Sequence, residues 1–199
     1  MTRDMLFALA LGYLLGSIPF GLVLTRLAGK GDVREIGSHS IGATNVLRTG
    51  NKFLAALTAV LDCLKGTAAV ILARLVFGDE AIAFAAAGAL LGHLYPVWIG
   101  FRGGKGVATL FGILIALLWP AAAIYAAVWI ALLLTIRISS VAGMTAAASA
   151  PVSAFILHSS LIYLLLGFAV LVVWKHKANI FRLTKGTEPR IGSKTSATG

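Results

Sequence analysis

Apolar residues run in long blocks along nearly the whole chain, and the polar residues between them gather into a few clusters. A helix of about 20 apolar residues matches the roughly 30 Å hydrocarbon core of a bilayer. Seven blocks stand out, at about 5–25, 53–76, 81–99, 106–118, 120–136, 141–157 and 160–175. They predict an all-α integral membrane protein with seven transmembrane helices. The fourth and fifth blocks are short and meet at Trp119-Pro120. Proline suits the first turn of a helix and breaks its interior, so this junction predicts a tight hairpin rather than one long helix. The first apolar run, Met5 to Leu24, outlasts the roughly 7–15 residues of a signal-peptide core and reads as a span. Residues 1–184 form one polytopic membrane domain with polar loops at about 26–52, 100–106, 137–141 and 175–184. Residues 185–199 read as a polar, flexible tail.

Composition sharpens this picture. The chain is 59% hydrophobic and 12% charged, against about 25% charged in a soluble domain. Too little polar sequence remains to cover a soluble helical bundle. Lys and Arg in short loops then give orientation. One side holds Arg26, Lys30, Arg34, Arg48, Lys52, Arg102, Lys105, Arg137, Lys175, Lys177, Arg182, Lys185, Arg190 and Lys194, fourteen in all; the other holds Arg3 and Arg74. The bias places the N-terminus outside and the C-terminus, with the polar loops, in the cytoplasm. The net charge of +10 comes with no basic helix, aromatic–basic stripe or zinc pattern, so no nucleic-acid partner is expected. The single cysteine, Cys63, excludes a disulfide framework and a multi-cysteine metal site. No metal or cofactor is expected.

The chemistry falls on the cytoplasmic side, because the outer connections are minimal: Gly78-Asp79-Glu80, Trp119-Pro120 and His158-Ser159-Ser160. The first inner loop is long for a connection. Its run from Gly37 through Ser38, His39, Ser40, Asn45 and Arg48 combines glycine, hydroxyl and amide groups with a guanidinium that can fork onto a phosphate. A polar linker has similar composition. The second loop, Gly100 to Gly106, is not a nucleotide P-loop, since Gly106 stands where Ser or Thr should follow the lysine. It still offers Gly103 and Gly104 backbone amides, a helix N-terminus and the charge of Lys105; a basic turn is the plainer alternative. Ser139 and Ser140 could serve a ligand or cap a helix. His176 and Asn179, three apart, share a face if the helix continues, though His176 could equally be an interfacial anchor. Asp62 and Lys65 lie three apart inside the second block, where ionisable groups are costly; they predict a pair that orients the site. No His-x4-Asp, H-E-x-x-H or G-x-S-x-G motif is present.

At these residues the chain resembles the bacterial acyl-phosphate:glycerol-3-phosphate acyltransferases, the PlsY family. The resemblance covers about residues 11–190. It rests on Gly16-Ser17-Ile18-Pro19-Phe20-Gly21, Gly37 to Arg48, Leu61-Asp62-Cys63-Leu64-Lys65-Gly66, His93 to Trp98, Phe101 to Thr109, Ser139-Ser140 and Lys175 to Ile180. It implies seven spans, an external N-terminus, and transfer of a fatty acyl group from acyl phosphate to the 1-hydroxyl of sn-glycerol 3-phosphate. The products are lysophosphatidic acid and phosphate, and the place is the bacterial cytoplasmic membrane, the first step of phospholipid synthesis. It also implies substrate contacts from Ser38, Asn45, Arg48, Lys105, Ser140, His176 and Asn179, with Lys105, Ser140 and His176 nearest the chemistry. On this reading Lys105, Ser140 and the Gly103-Gly104 loop hold the donor phosphate, while Arg48, Ser38, His176 and Asn179 hold glycerol 3-phosphate. The family's usual Gly-Asn is replaced here by His39-Ser40, which puts the role of that amide in question. The rival is a small-anion or phosphate-ester transporter. Against it, the chain shows no internal repeat, and its polar groups gather at one face.

Overall fold

The computed structural model describes residues 1–192. Among them are ten α-helices: α1 (Arg3–Gly16), α2 (Phe20–Leu27), α3 (Ala43–Val46), α4 (Lys52–Phe77), α5 (Ile82–Leu94), α6 (Val107–Leu117), α7 (Trp119–Ile136), α8 (Ser139–Ile156), α9 (Ile162–Lys175) and α10 (Lys177–Thr184). Five segments among the described residues are long and apolar enough to cross a membrane: Arg3–Leu27, Lys52–Phe77, Asp79–Ile99, Trp119–Ile136 and Ser139–Ile156. The fourth and seventh predicted spans are shorter helices, α6 and α9. The axis bends by 59° between α9 and α10.

The first span is interrupted where the sequence dictates. Pro19 lacks an N–H, and α1 gives way to α2 across Ser17, Ile18 and Pro19. The Ile18 carbonyl at this break accepts a hydrogen bond from Lys65 Nζ at 2.8 Å. A hairpin joins α6 to α7, as Trp119-Pro120 predicted. The Tyr125 hydroxyl donates to the Val107 carbonyl at 2.9 Å, and the Tyr125 and Phe111 rings stack at 6.0 Å. One continuous helix would hold Val107 and Tyr125 about 27 Å apart.

Close packing comes from small residues. Gly12 and Gly16 on α1 face α5, and Gly88 and Gly92 on α5 face α1; a Cβ at any of the four would overlap backbone of the other helix. Gly66 and Gly112 bring α4 and α6 together similarly. Between apolar helices in lipid, such close backbone approach replaces the hydrophobic driving force. The main core lies among α4 to α9, around Leu90, Leu110, Ile113, Leu114, Tyr125 and Leu165. Large apolar side chains such as Phe53, Leu75, Leu134, Phe155 and Val170 are exposed on the outside of the bundle, as a lipid-facing surface requires.

Candidate active site

The polar loops assemble at one end of the bundle. In the first loop Asp32 clamps Arg34 at 2.6 Å and Arg26 at 2.8 Å. The Arg34 hydrogen bonds, above all, hold the Asp32 carboxyl well below the usual carboxylate range, despite its partial burial. Arg34 then reaches the Ile99 carbonyl, tying the first loop to the second.

Asn45 is buried inside its own loop. Its amide nitrogen donates to the carbonyls of Val33, Ile36 and Ser40, and its oxygen accepts from the Ser38 N–H at 2.9 Å. The substrate contact expected of Asn45 therefore gives way to a role in shaping the loop: its polar atoms are already engaged there. His39 stands at φ 55°, a left-handed conformation usually left to glycine. It donates from Nδ1 to the Arg34 carbonyl at 2.8 Å. Ser40 Oγ accepts from the Gly42 N–H at 3.3 Å, so the hydroxyl bonds locally where the family's amide would stand. Gly37, at φ 56°, leaves room for the Arg48 side chain, which a Cβ would strike.

The second loop folds back onto the end of α5. The Gly104 N–H donates to the His93 carbonyl at 3.0 Å, and a Cβ at Gly106 would touch Leu90 and Leu94. The chain thus enters α6 from inside the bundle rather than from its rim. That explains why α6 has only 11 residues. The loop forms one wall of a polar pocket of about 290 Å³, lined by Ser38, His39, Ser40, Phe101, Arg102, Gly103, Gly104, Lys105 and Lys175. Phe101 also lines an apolar groove of about 680 Å³ between α1 and α5, together with Leu6, Leu9, Ala10, Tyr13, Leu14, Gly88, Leu91 and Tyr95. Phe101 therefore lines both cavities.

Ser140, His176 and Asn179 lie outside that pocket's lining and are buried. Ser140 is the second residue of α8 and does not cap it; the N-cap residue is Ile138. Its hydroxyl donates to Glu188 Oε1 at 2.7 Å, and Asn179 Nδ2 donates to the same oxygen at 2.6 Å. Arg182 pairs with Glu188 Oε2 at 2.6 Å. Burial raises the Glu188 pKa, but the bonds from Asn179, Ser140 and Arg182 outweigh it and hold the carboxyl below its ordinary value. Over 185–192 the tail expected to be flexible makes specific contacts. Glu188 is drawn in by three donors, and Arg137 and Ile191 exchange two hydrogen bonds through the Ile191 N–H and carbonyl. The rest of that tail, 193–199, lies outside the described residues.

The helix breaks at His176 instead of continuing, and α10 resumes beyond it with Asn179 still facing inward. His176 Nδ1 lies 2.8 Å from the Val172 carbonyl. A carbonyl only accepts, so Nδ1 carries the proton; burial pushes the ring's pKa down to about 4 and keeps it neutral, so Nε2 keeps its lone pair. That Nε2 faces α8 beside Gly143, one turn from Ser140. Lys105 sits between the two polar groups. Burial pushes its pKa down to about 8; Glu188 opposes that, and Arg182, Arg48 and Lys175 add to it. Ser38 therefore groups with Lys105 and the glycine loop, and Ser140 with Asn179, which differs from the division expected from the sequence. Glu188 was missed by sequence reasoning, although it is the only acidic residue beyond Glu80 in a strongly basic segment.

Comparison with known proteins gives consistent findings. Residues 6–186 match the family model described as glycerol-3-phosphate acyltransferase. The chain is 56% identical over 195 residues to a glycerol-3-phosphate acyltransferase of Mesorhizobium japonicum, covering 98% of this chain and all of that one. It is likewise 56% identical to one of Brucella anthropi, covering 98% and 96%. Two crystal structures of PlsY (YgiH), an integral membrane glycerol 3-phosphate acyltransferase, are similar. The glycerol 3-phosphate form has a TM-score of 0.89 at 38% identity, covering 94% of this chain and 96% of that one. The lysophosphatidic acid form has a TM-score of 0.86 at 38% identity, covering 94% and 95%.

Proposed function

The chain belongs to the glycerol-3-phosphate acyltransferase family, and we propose that it transfers a fatty acyl group from acyl phosphate to the 1-hydroxyl of sn-glycerol 3-phosphate. Lysophosphatidic acid and phosphate are released. The observation that carries this reading is a cationic glycine-loop pocket and an apolar groove that share Phe101 as a wall residue. An amphiphile with a phosphate at its head and an alkyl chain behind suits such a pair. With the chain in the groove, its phosphate falls to Lys105, the Gly103-Gly104 amides and Ser38. Glycerol 3-phosphate then lies across Lys105, its phosphate held by Arg48. Its hydroxyls donate among the acceptors His176 Nε2, Asn179 Oδ1, which is buried without a hydrogen-bond partner among the described residues, and Ser140 Oγ, whose own proton is given to Glu188.

The reaction joins the glycerol oxygen to the acyl carbon and breaks the bond from that carbon to the phosphate oxygen. Phosphate is a good leaving group and carries the hydroxyl proton away. The protein's part is then positioning and charge stabilisation. His176 Nε2, held as an acceptor, orients the attacking hydroxyl. Lys105 stands between the two phosphates and offsets their repulsion.

The same reading places the protein in the bacterial cytoplasmic membrane with seven passes, N-terminus outside and the site facing the cytoplasm. Support comes from the fourteen-to-two distribution of cations and from the short α6, which starts inside the bundle. The test is an assay of purified protein for lysophosphatidic acid, offering acyl phosphate against acyl-CoA and acyl carrier protein. Product is expected with acyl phosphate. Product only with a thioester donor would overturn the donor assignment, and none with any donor would overturn the enzyme.

A further inference from the structure

The loop that carries Lys105 packs on the end of α5, and His93 meets both of its central glycines. The Gly104 N–H donates to the His93 carbonyl at 3.0 Å. A Cβ at Gly103 would overlap that carbonyl, and one at Gly104 would overlap the imidazole at Nε2. Both glycines are thus fitted to His93, one to its backbone and one to its ring. On the ring's other edge, Nδ1 lies 3.6 Å from Asp62 Oδ1, an electrostatic contact beyond hydrogen-bond reach that leaves this buried Nδ1 without a hydrogen-bond partner among the described residues. Asp62 Oδ1 in turn lies 2.7 Å from Lys65 Nζ, and Lys65 donates to the Ile18 carbonyl at the Pro19 break, which also accepts from the Phe20 N–H. Asp62, Lys65 and His93 are all buried, and none lines either cavity.

Burying three ionisable side chains within apolar helices is costly, and well-packed apolar residues often replace a buried ion pair at no loss of stability. Closing the bundle does not call for them. We propose that Asp62, Lys65 and His93 form a positioning cluster for the phosphate loop. The carboxylate orients the His93 ring, the ring and carbonyl set the height of Gly103-Gly104, and that height places Lys105. Lys65 anchors the cluster to the interrupted first span. The cluster links four of the segments on which the family resemblance rests and gives a task to side chains that touch no substrate. This inference rests on the loop's being the phosphate site.

The test uses purified enzyme in detergent, with thermal unfolding measured beside two-substrate kinetics. The double substitution Asp62→Leu with Lys65→Met removes the pair without leaving one charge unpaired. It is expected to melt with the wild type yet to lose on the order of 10–100-fold in kcat/KM for acyl phosphate, as a slight misplacement of a catalytic group does. Should the double variant fail to fold, His93→Gln, which leaves the ion pair in place, is expected to show the same kinetic loss at unchanged melting temperature. Wild-type kinetics in a stable variant, or a loss of activity that merely follows a loss of melting temperature, would overturn the proposal. Lys105→Ala in the same assay separates the two ideas. If it stays active, the loop is not the phosphate site. If it is inactive while the cluster variants are normal, only the positioning role fails.

Discussion

The Ser140 hydroxyl donates to a carboxylate oxygen of Glu188 at 2.7 Å, across 48 residues of sequence. Through this carboxylate the segment after α10 closes over the site, because Asn179 and Arg182 bond it as well. Glu188→Gln keeps the shape but withdraws the charge that answers Arg182. Hydrogen bonds to charged groups contribute about 1.5–3 kcal/mol each, so a clear fall in melting temperature is expected, with activity falling too. The carboxyl's pKa is held down in the folded state. Its contribution is therefore complete above the unfolded value of about 4.3 and is lost as pH falls through the lower folded value. Thermal unfolding of wild type and variant across pH checks this: the gap between them should close in acid, and a gap that persists there would reject the docking role.

Lys105 is expected to set an alkaline limit on activity. Its buried ammonium has a pKa near 8, and the cation is the form that holds phosphate. The free enzyme's kcat/KM should therefore be retained below pH 8 and fall as pH rises through it. Lys105→Arg keeps its charge at every working pH, so whatever activity it retains should lack that limb. Lys105→Ala should lose about 2–4 kcal/mol of transition-state stabilisation, by analogy with a lost oxyanion donor. The same alkaline limb in the arginine variant would assign the titration to another group.

Hydropathy made the apolar blocks legible because lipid-facing helices must be apolar all round, and it found α6 and α9 despite their shortness. It could not say why α6 is short. That depends on the glycine loop turning inward to Leu90 and Leu94, a tertiary event. The GxxxG spacing of Gly12-Gly16 and Gly88-Gly92 is written in the sequence, yet a hydropathy profile passes over it because glycine is nearly neutral there. The burial of Ser140 beside the more open Ser139 became legible only once α8 had a phase. Asn45 misled for a related reason: an amide in a polar loop looks the same whether it faces a ligand or the loop's own carbonyls. Glu188 went unread because a lone charge in a polar tail has no periodicity to mark it.

Topology gives a third prediction. In a Cys63→Ala background, single cysteines near Asp79, Trp119 and His158 should react with an impermeant thiol reagent added to intact cells, and one near Arg102 should not. The Trp119 position is the most informative of the four. It lies at the end of α6, whose 11 residues rise only about 16 Å, and it labels from outside only if this short helix completes its crossing. Labelling at Arg102 instead would reverse the orientation and remove the cytoplasmic site.

Arg48 offers a test of how the two phosphates are divided between the loops. Its side chain runs across Gly37 and adds to the positive field at Lys105. A guanidinium can grip a phosphate through two parallel N–H bonds, and Arg48→Lys keeps the charge while losing that fork. Such a change weakens binding in ground and transition states alike and so appears in KM rather than kcat. The expected result is a raised KM for glycerol 3-phosphate, with a smaller effect on acyl phosphate. Lys105→Arg, measured in parallel, should instead act mainly on kcat, since Lys105 lies between the reacting groups. Full two-substrate kinetics on both variants decides the matter. A KM defect for the acyl donor in the Arg48 variant would move Arg48 to the donor phosphate, beside Ser38. The acceptor phosphate would then fall to Lys105 and the groups around Ser140, while the acyl transfer itself would stand.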